Sequence, residues 1–467
     1  MSNPDSDDMR RMNRRQFVRN AGLGAVGLTA MGALAACGGS DSGSGSSAAE
    51  TAAAETAAAE EAATTAAAEE VAPYQGTLRV IGLGVDLIDP IKAAFEAATP
   101  GVTLEFTVKS TPEITQLALT QPDSFDIMSG YYHQLDQIWP SGNLQAIPSA
   151  SMTRFAEISP LIADGKLSEN NNPGQGDAPF RKLFATSNTE LAGEGNKTDM
   201  ITMVPANHNS DSFGYNEKEL GEQTSWGIMF APEVKGKVAL IDDPEIGLMD
   251  AAMAAEAAGI MTFVDKGNMT KEEIDEIMTF LIEKKKEGWF RGFWATFDES
   301  VNFMSSGEVL VESMWSPAVS LLQAQDFPVR YAAPVEGYRG WGGGNSVFSH
   351  VADDPSKQAA ALAYLNWWNT PEPAGIMAAQ GYYNAVINAS YEGLGAFPDG
   401  EAYQGYYLDG AAATTTLNDP FGQPTITEGE VRDGGSYEER CGNFAVWNSR
   451  MDEADYLTQK WQEFKSA

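Results

Sequence analysis

The stretch TLRVIGLGVDLIDPIKAAFEAATPGVTLEFTV, residues 77–108, decides the fold class. Thr77-Leu78-Arg79-Val80-Ile81-Gly82 is short, rich in branched apolar residues and ends in glycine, which predicts a strand. From Pro90 to Ala98, Ile91, Ala94 and Phe95 fall on one side of a helical pattern. Val102 to Val108 alternates and predicts a second strand. Two strands joined by a connection this long pair in parallel, so the unit predicts an α/β layer. Working outward, Phe125-Asp126-Ile127-Met128 reads as a strand ending at a Ser129-Gly130 turn. Further on, Lys237 to Ile241 reads as a strand and Lys271 to Lys286 as an amphipathic helix. Val309-Leu310-Val311 is a strand and Lys357 to Trp368 a helix. The polar stretch 165–199 reads as a long surface loop, and the body shows no long internal repeat.

Toward the N-terminus the pattern stops. Residues 38–73 are Gly/Ser-rich and then Ala/Glu/Thr-rich, with no Lys or Arg and almost nothing apolar larger than alanine. Such a tract cannot bury a core and reads as a disordered tether over 37–73. Residues 1–36 read as an export signal. Asn13-Arg14-Arg15-Gln16-Phe17 resembles a twin-arginine address, and a short apolar run follows from Ala21 to Ala36. Leu34-Ala35-Ala36-Cys37 resembles a bacterial lipobox, which makes Cys37 the expected lipidated residue and membrane anchor. The expected location is therefore outside the cytoplasmic membrane, in the periplasmic space or on the outer face.

The composition narrows the function. The chain has 467 residues, of which 43% are hydrophobic, enough for a large core. It carries 30 Lys+Arg against 65 Asp+Glu, a net charge of −35, which disfavours nucleic acid as a partner and reads first as a solvated acidic surface, with a cationic ligand as the alternative. His133, His208 and His350 are not spaced as a zinc site, and Cys441 reads as an inert buried thiol. Gly82-Leu83-Gly84 lacks the third glycine of a dinucleotide fingerprint. Trp341-Gly342-Gly343-Gly344-Asn345 lacks the Lys-Ser/Thr of a phosphate loop. No catalytic constellation, cofactor motif or metal motif stands out. An exported, anchored α/β protein without catalytic residues has the profile of an importer's solute-binding component.

Several landmarks together resemble the bacterial spermidine/putrescine-binding proteins of ABC importers. They are Phe125-Asp126-Ile127-Met128-Ser129-Gly130-Tyr131-Tyr132, then Ser225-Trp226-Gly227 through Ile241-Asp242-Asp243, then Gly307-Glu308-Val309 through Trp315, Gly381-Tyr382-Tyr383 and Trp447-Asn448. The resemblance spans most of residues 76–467. It implies a two-lobed, periplasmic-binding-protein-like fold of type II with a hinged cleft. Residues 74–209 and 345–391 would form lobe 1, and 210–344 and 392–467 lobe 2. It implies a monomer that closes on its ligand and docks on permease subunits.

Polyamine recognition needs carboxylates for the ammonium groups and aromatic walls for the methylenes. By resemblance, Ser129, Tyr131, Asp243, Trp315 and Tyr382 fall on family ligand contacts. Asp243 also reads as a turn residue before Pro244, and Trp315 and Tyr382 also read as core. The chain departs from the family elsewhere. The family's aromatic pair after the first strand is replaced by Leu83-Gly84-Val85-Asp86, so Asp86 becomes a candidate carboxylate. A family glutamate falls on Ile246, beside Glu245, and a family aspartate falls on Asn345, with Trp341 the nearest tryptophan. A family glutamine becomes Asn448. The lobe crossing reads Asn207-His208-Asn209-Ser210-Asp211, which makes Asp211 another substitute carboxylate and His208 a hydrogen-bonding hinge residue. Four readings stay open: a polyamine receptor first; a receptor for another organic solute, including an amino-compound carrying both charges; a ferric-ion receptor using Tyr131-Tyr132 and Tyr382-Tyr383; and an anchored enzyme or adhesion protein.

Overall fold

The computed structural model describes residues 72–467. The signal, Cys37 and the tether lie outside these residues. The deciding unit folds as its pattern predicts. Strand Gly76–Gly82 pairs in parallel with Val102–Val108, in register from Gly76 opposite Val102 to Gly82 opposite Val108. Helix Asp89–Ala98 lies between them and buries Ile91 and Phe95. The helix read at Lys271 to Lys286 spans Lys271–Lys286, opened by a capping box from Thr270 and Glu273.

The sheet runs in the order Phe290–Trp294, Val238–Ile241, Val311–Met314, Val204–Asn216, Tyr338–Val347, Ile127–Tyr131, Gly76–Gly82, Val102–Val108. The two largest core clusters of the described residues lie under its two halves. One gathers around Ile81, Ile127, Phe95 and Trp139, and the other around Trp226, Leu248, Ile277 and Trp461. Val204–Asn216 joins the halves. Its first part pairs with Tyr338–Val347 and its last part with Val311–Met314. The fold is the two-lobed α/β type expected of hinged-cleft receptors. Among the described residues no helix is long and apolar enough to cross a membrane.

Three local readings need correction. Ser129-Gly130 is not a turn. Strand Ile127–Tyr131 continues through both residues, because Ser129 and Gly130 pair with Asn345 and Gly344 of the antiparallel neighbour. The strand read at Val309 to Val311 begins only at Val311 and runs to Met314. The 165–199 stretch is not all surface loop, since Gln175 and Gly176 join the sheet beside Val446 and Trp447. The largest omission is the pair of central strands. Val204–Asn216 and Tyr338–Val347 are buried along their whole lengths, yet their polar and glycine-rich sequences carry no apolar alternation. Ladder hydrogen bonds satisfy their backbones, so polar side chains can sit there without exposing the main chain.

Asp126, at the edge of the first lobe's strand, is fully buried and binds two cations and a histidine ring. It accepts from Arg79 Nη2 at 2.7 Å and Lys357 Nζ at 3.0 Å, and lies 3.3 Å from His350 Nε2. Burial pushes its carboxyl up, but the bonds from Arg79 and Lys357 win and hold it well below the usual carboxylate range. A depressed folded-state pKa contributes stability that is present above the unfolded value and lost as pH falls. Asp126→Asn is therefore expected to destabilise by about 1.5–3 kcal/mol at neutral pH and to flatten the loss of stability below about pH 4. Denaturation curves at neutral and acid pH check this. An unchanged acid limb would contradict it. Cys441 is buried, and burial pushes its thiol up to about 12, which leaves it protonated and inert.

Candidate functional site

The site is built on one face of the two central strands. Residues directly opposite in an antiparallel pair share a face, and steps of two along a strand keep it. Arg339 lies opposite Asp211, Trp341 opposite Asn209, Gly343 opposite Tyr131 and Asn345 opposite Ser129. One face therefore carries Arg339, Trp341, Asn345, Asp211, Asn209, Ser129 and Tyr131. Gly343 leaves its floor bare. A Cβ there would come within 3.1 Å of Gly130 O and 3.7 Å of Tyr131 Cδ1.

Asp86 enters from the turn after the first strand, at the carboxyl end of a parallel strand, where open α/β sheets bind ligands. Its Oδ2 accepts from Ser129 Oγ at 2.9 Å and its Oδ1 from Asn207 Nδ2 at 2.9 Å. No described cation contacts it. Burial pushes its carboxyl up, outweighing the two neutral donors. Next to it stands an aromatic trio. The Trp341 ring meets Tyr131 at 5.4 Å and Tyr382 at 5.5 Å, both edge-on, and Tyr131 stacks on His133 at 5.4 Å. Both tyrosine hydroxyls are pushed up by burial, with the charges of Asp86 and Asp211 adding to it. Trp341 Nε1 donates to Asp211 Oδ1 at 3.3 Å.

Arg339 closes the far end. Its Nε donates to Asp250 Oδ1 at 2.8 Å, its Nη1 donates to Asn448 Oδ1 at 2.7 Å, and the same Nη1 lies 3.3 Å from Asp211 Oδ2. Burial still pushes Asp211 up and lifts Asp250 to about 6. Asn345 is fully buried, and neither of its amide atoms has a partner among the described residues.

The structure thus brings together Asp86, Ser129, Tyr131, Asp211, Trp341, Asn345, Tyr382 and Asn448. The other three candidates sit on the second lobe. Asp243 caps helix Pro244–Ala257, its Oδ1 accepting from the Glu245 and Ile246 amides, and the field of Arg339 reaches its carboxylate. Glu245 pairs with Arg450 at 3.4 Å, and burial beside Asp243 lifts its carboxyl to about 8. Trp315 packs edge-on against Trp294 at 5.0 Å rather than on the Trp341 trio. The adjacent tyrosines divide their roles. Tyr132 is buried in the first core, and Tyr383 packs against His208 and Tyr437. His208 lies 3.2 Å from the Tyr437 hydroxyl, and burial lowers its pKa to about 3. Sequence reading missed Arg339, Asn207 as an Asp86 partner, and Asp250. The period-two spacing of Asn207, Asn209 and Asp211, and of Arg339, Trp341 and Asn345, is the signal that finds the first two.

Asp86, Asp211, Trp341 and Tyr382 are each between 5% and 7% exposed, so the cleft is shut. A cavity of about 770 Å³ lies elsewhere, lined by residues such as Asn171, Gln175, Glu256, Lys266 and Phe444, and none of the site residues borders it. Chemically, the closed site combines carboxylates in excess over one guanidinium, aromatic faces and amides. That combination can hold a cationic group.

No curated protein matches the chain in sequence. Solved structures share its fold. The spermidine/putrescine ABC transporter substrate-binding protein PotD of Streptococcus pneumoniae is 14% identical, with a TM-score of 0.53, covering 84% of this chain and 100% of that one. The Tp0655 (TpPotD) lipoprotein of Treponema pallidum is 10% identical, with a TM-score of 0.57 and the same coverage, 84% and 100%. The MotA binding protein of A. tumefaciens B6, solved with glucopine, is 14% identical, with a TM-score of 0.50, covering 83% and 99%. The family model described as bacterial extracellular solute-binding protein matches residues 91–395, the span that contains both central strands and all but two of the assembled site residues, and the chain belongs to that family.

Proposed function

We propose that this protein is the solute receptor of an ABC importer and that it carries an amine of the polyamine class to the permease. The carrying observation is Asp86, a carboxylate 5% exposed with no cationic partner among the described residues, bonded to Ser129, which shares its strand face with Tyr131 of the aromatic trio. An ammonium seated there gains a charge-assisted bond and a cation–π attraction of about 0.5–2 kcal/mol per ring. Asp211 and Asp250 pair with the guanidinium of Arg339, whose field also reaches Asp243, while Asp86 stands apart with only neutral partners and is the carboxylate left for a ligand cation. The protein does not perform chemistry on its ligand. Export through the twin-arginine signal and anchoring through Cys37 place it where an importer collects solute.

Binding requires opening and closing about the central strands. Residues 74–209 and 345–391 then move against 210–344 and 392–467. Isothermal titration with putrescine and spermidine is expected to give one-to-one binding. Small-angle scattering is expected to show a smaller radius of gyration with amine than without. Failure of every amine to bind would remove the amine reading and leave the solute-receptor family.

A further inference from the structure

Arg339 is an unusual occupant for an amine site. It is 2% exposed, on the site face, two positions before Trp341. It holds Asp250 through Nε, and Nη1 serves both Asn448 and Asp211. One fixed guanidinium thus engages two of the carboxylates that a long amine would need for its distal ammonium groups. At the opposite end Asp86 keeps only the neutral Ser129 and Asn207 partners. The aromatic trio is bonded to Asp211 through Trp341, and its Tyr131 lies two residues along the same strand from Ser129, the partner of Asp86.

We propose that Arg339 is a built-in substitute for one ligand cation, making it the specificity-determining residue that selects a short amine over a triamine. The ligand then places one ammonium at Asp86 and lays a short alkyl body along Tyr131, Trp341 and Tyr382. A further ammonium reaching toward Asp211 meets the guanidinium. Like charges in a buried site repel strongly, and a buried arginine with three partners has nowhere to withdraw. The inference rests on the amine-receptor reading and narrows it.

The test is titration of the full-length protein with n-butylamine, putrescine and spermidine at fixed ionic strength. Spermidine is expected to bind at least about tenfold more weakly than the tighter of the two shorter amines. Arg339→Gln frees Asp211 and Asp250, so the spermidine-to-butylamine affinity ratio is expected to rise by about tenfold or more. Tightest binding of spermidine by the unmodified protein overturns the inference while leaving the amine reading intact. An unchanged ratio in a folded Arg339→Gln protein overturns it as well. Absence of binding by all three amines overturns both readings. The unmodified protein alone decides the question if the variant does not fold.

Discussion

Asp86→Asn is expected to weaken amine binding by about 2–5 kcal/mol, roughly thirtyfold to several-thousandfold, and to stabilise the ligand-free protein at neutral pH. The two effects have one cause. Asp86 is buried with a hydroxyl and an amide as its only partners, so ionising it in the folded protein is costly. Its folded-state pKa is raised, and the associated stability is present below the unfolded value, about 3.9, and lost as pH rises. Asparagine removes that loss, so the gain in stability appears at neutral pH and vanishes near pH 4. The ammonium, in contrast, needs the charge. Affinity in the unmodified protein is expected to fall as pH drops and the carboxyl takes up its proton. Calorimetry for binding and denaturation at two pH values for stability measure both sides. A variant that binds amine as the unmodified protein does would show that Asp86 is not the cation site.

Trp341→Ala is expected to damage both fold and site. The ring is 5% exposed, bonds Asp211 and touches Tyr131 and Tyr382. Removing it costs about 3–5 kcal/mol of stability, as for other large core aromatics. Loss of its face weakens amine binding by about 1–2 kcal/mol, roughly five- to thirtyfold. Trp341→Phe keeps a ring but loses the Nε1 bond to Asp211, so it is expected to fall between the two in affinity. Thermal denaturation and titration separate the effects. An alanine variant that folds and keeps its affinity within about twofold would remove the aromatic wall from the account.

The sequence was most legible where burial faces one way. Helix Lys271–Lys286 alternates buried Ile274, Ile277, Met278 and Leu281 with lysines and glutamates, and its limits could be read directly. The parallel pair at Gly76 and Val102 was legible for the same reason. The two central strands were not. They lie between lobes, so burial there selects polar side chains for the cleft and glycines for close approach, and the apolar period that marks an ordinary strand disappears. Gly344 illustrates the second demand, since a Cβ there would meet Val204 O at 2.7 Å.

The same strands explain the uneven reading of the site. Asp86 and Asp211 were recognisable as carboxylates in the right segments, and Trp341, Tyr131 and Tyr382 as aromatics. Their joint geometry depends on strand register, which brings Trp341 opposite Asn209 and Arg339 opposite Asp211. For Arg339 the period-two spacing with Trp341 and Asn345 was the one signal, because only that register and the approach of helix Pro244–Ala257, which supplies Asp250, bring it to the cleft. Asp243 looked like a ligand contact and like a turn residue, and its Oδ1 acts as a helix cap.

The central claim is that an amine binds between the lobes with its ammonium at Asp86. A crystal structure of the protein grown with putrescine tests it most directly. The account predicts a single amine enclosed by Tyr131, Trp341 and Tyr382, with a nitrogen within hydrogen-bond distance of Asp86. Amine density confined to the 770 Å³ cavity near Lys266 and Phe444, with Asp86 still bonded only to Ser129 and Asn207, would contradict it.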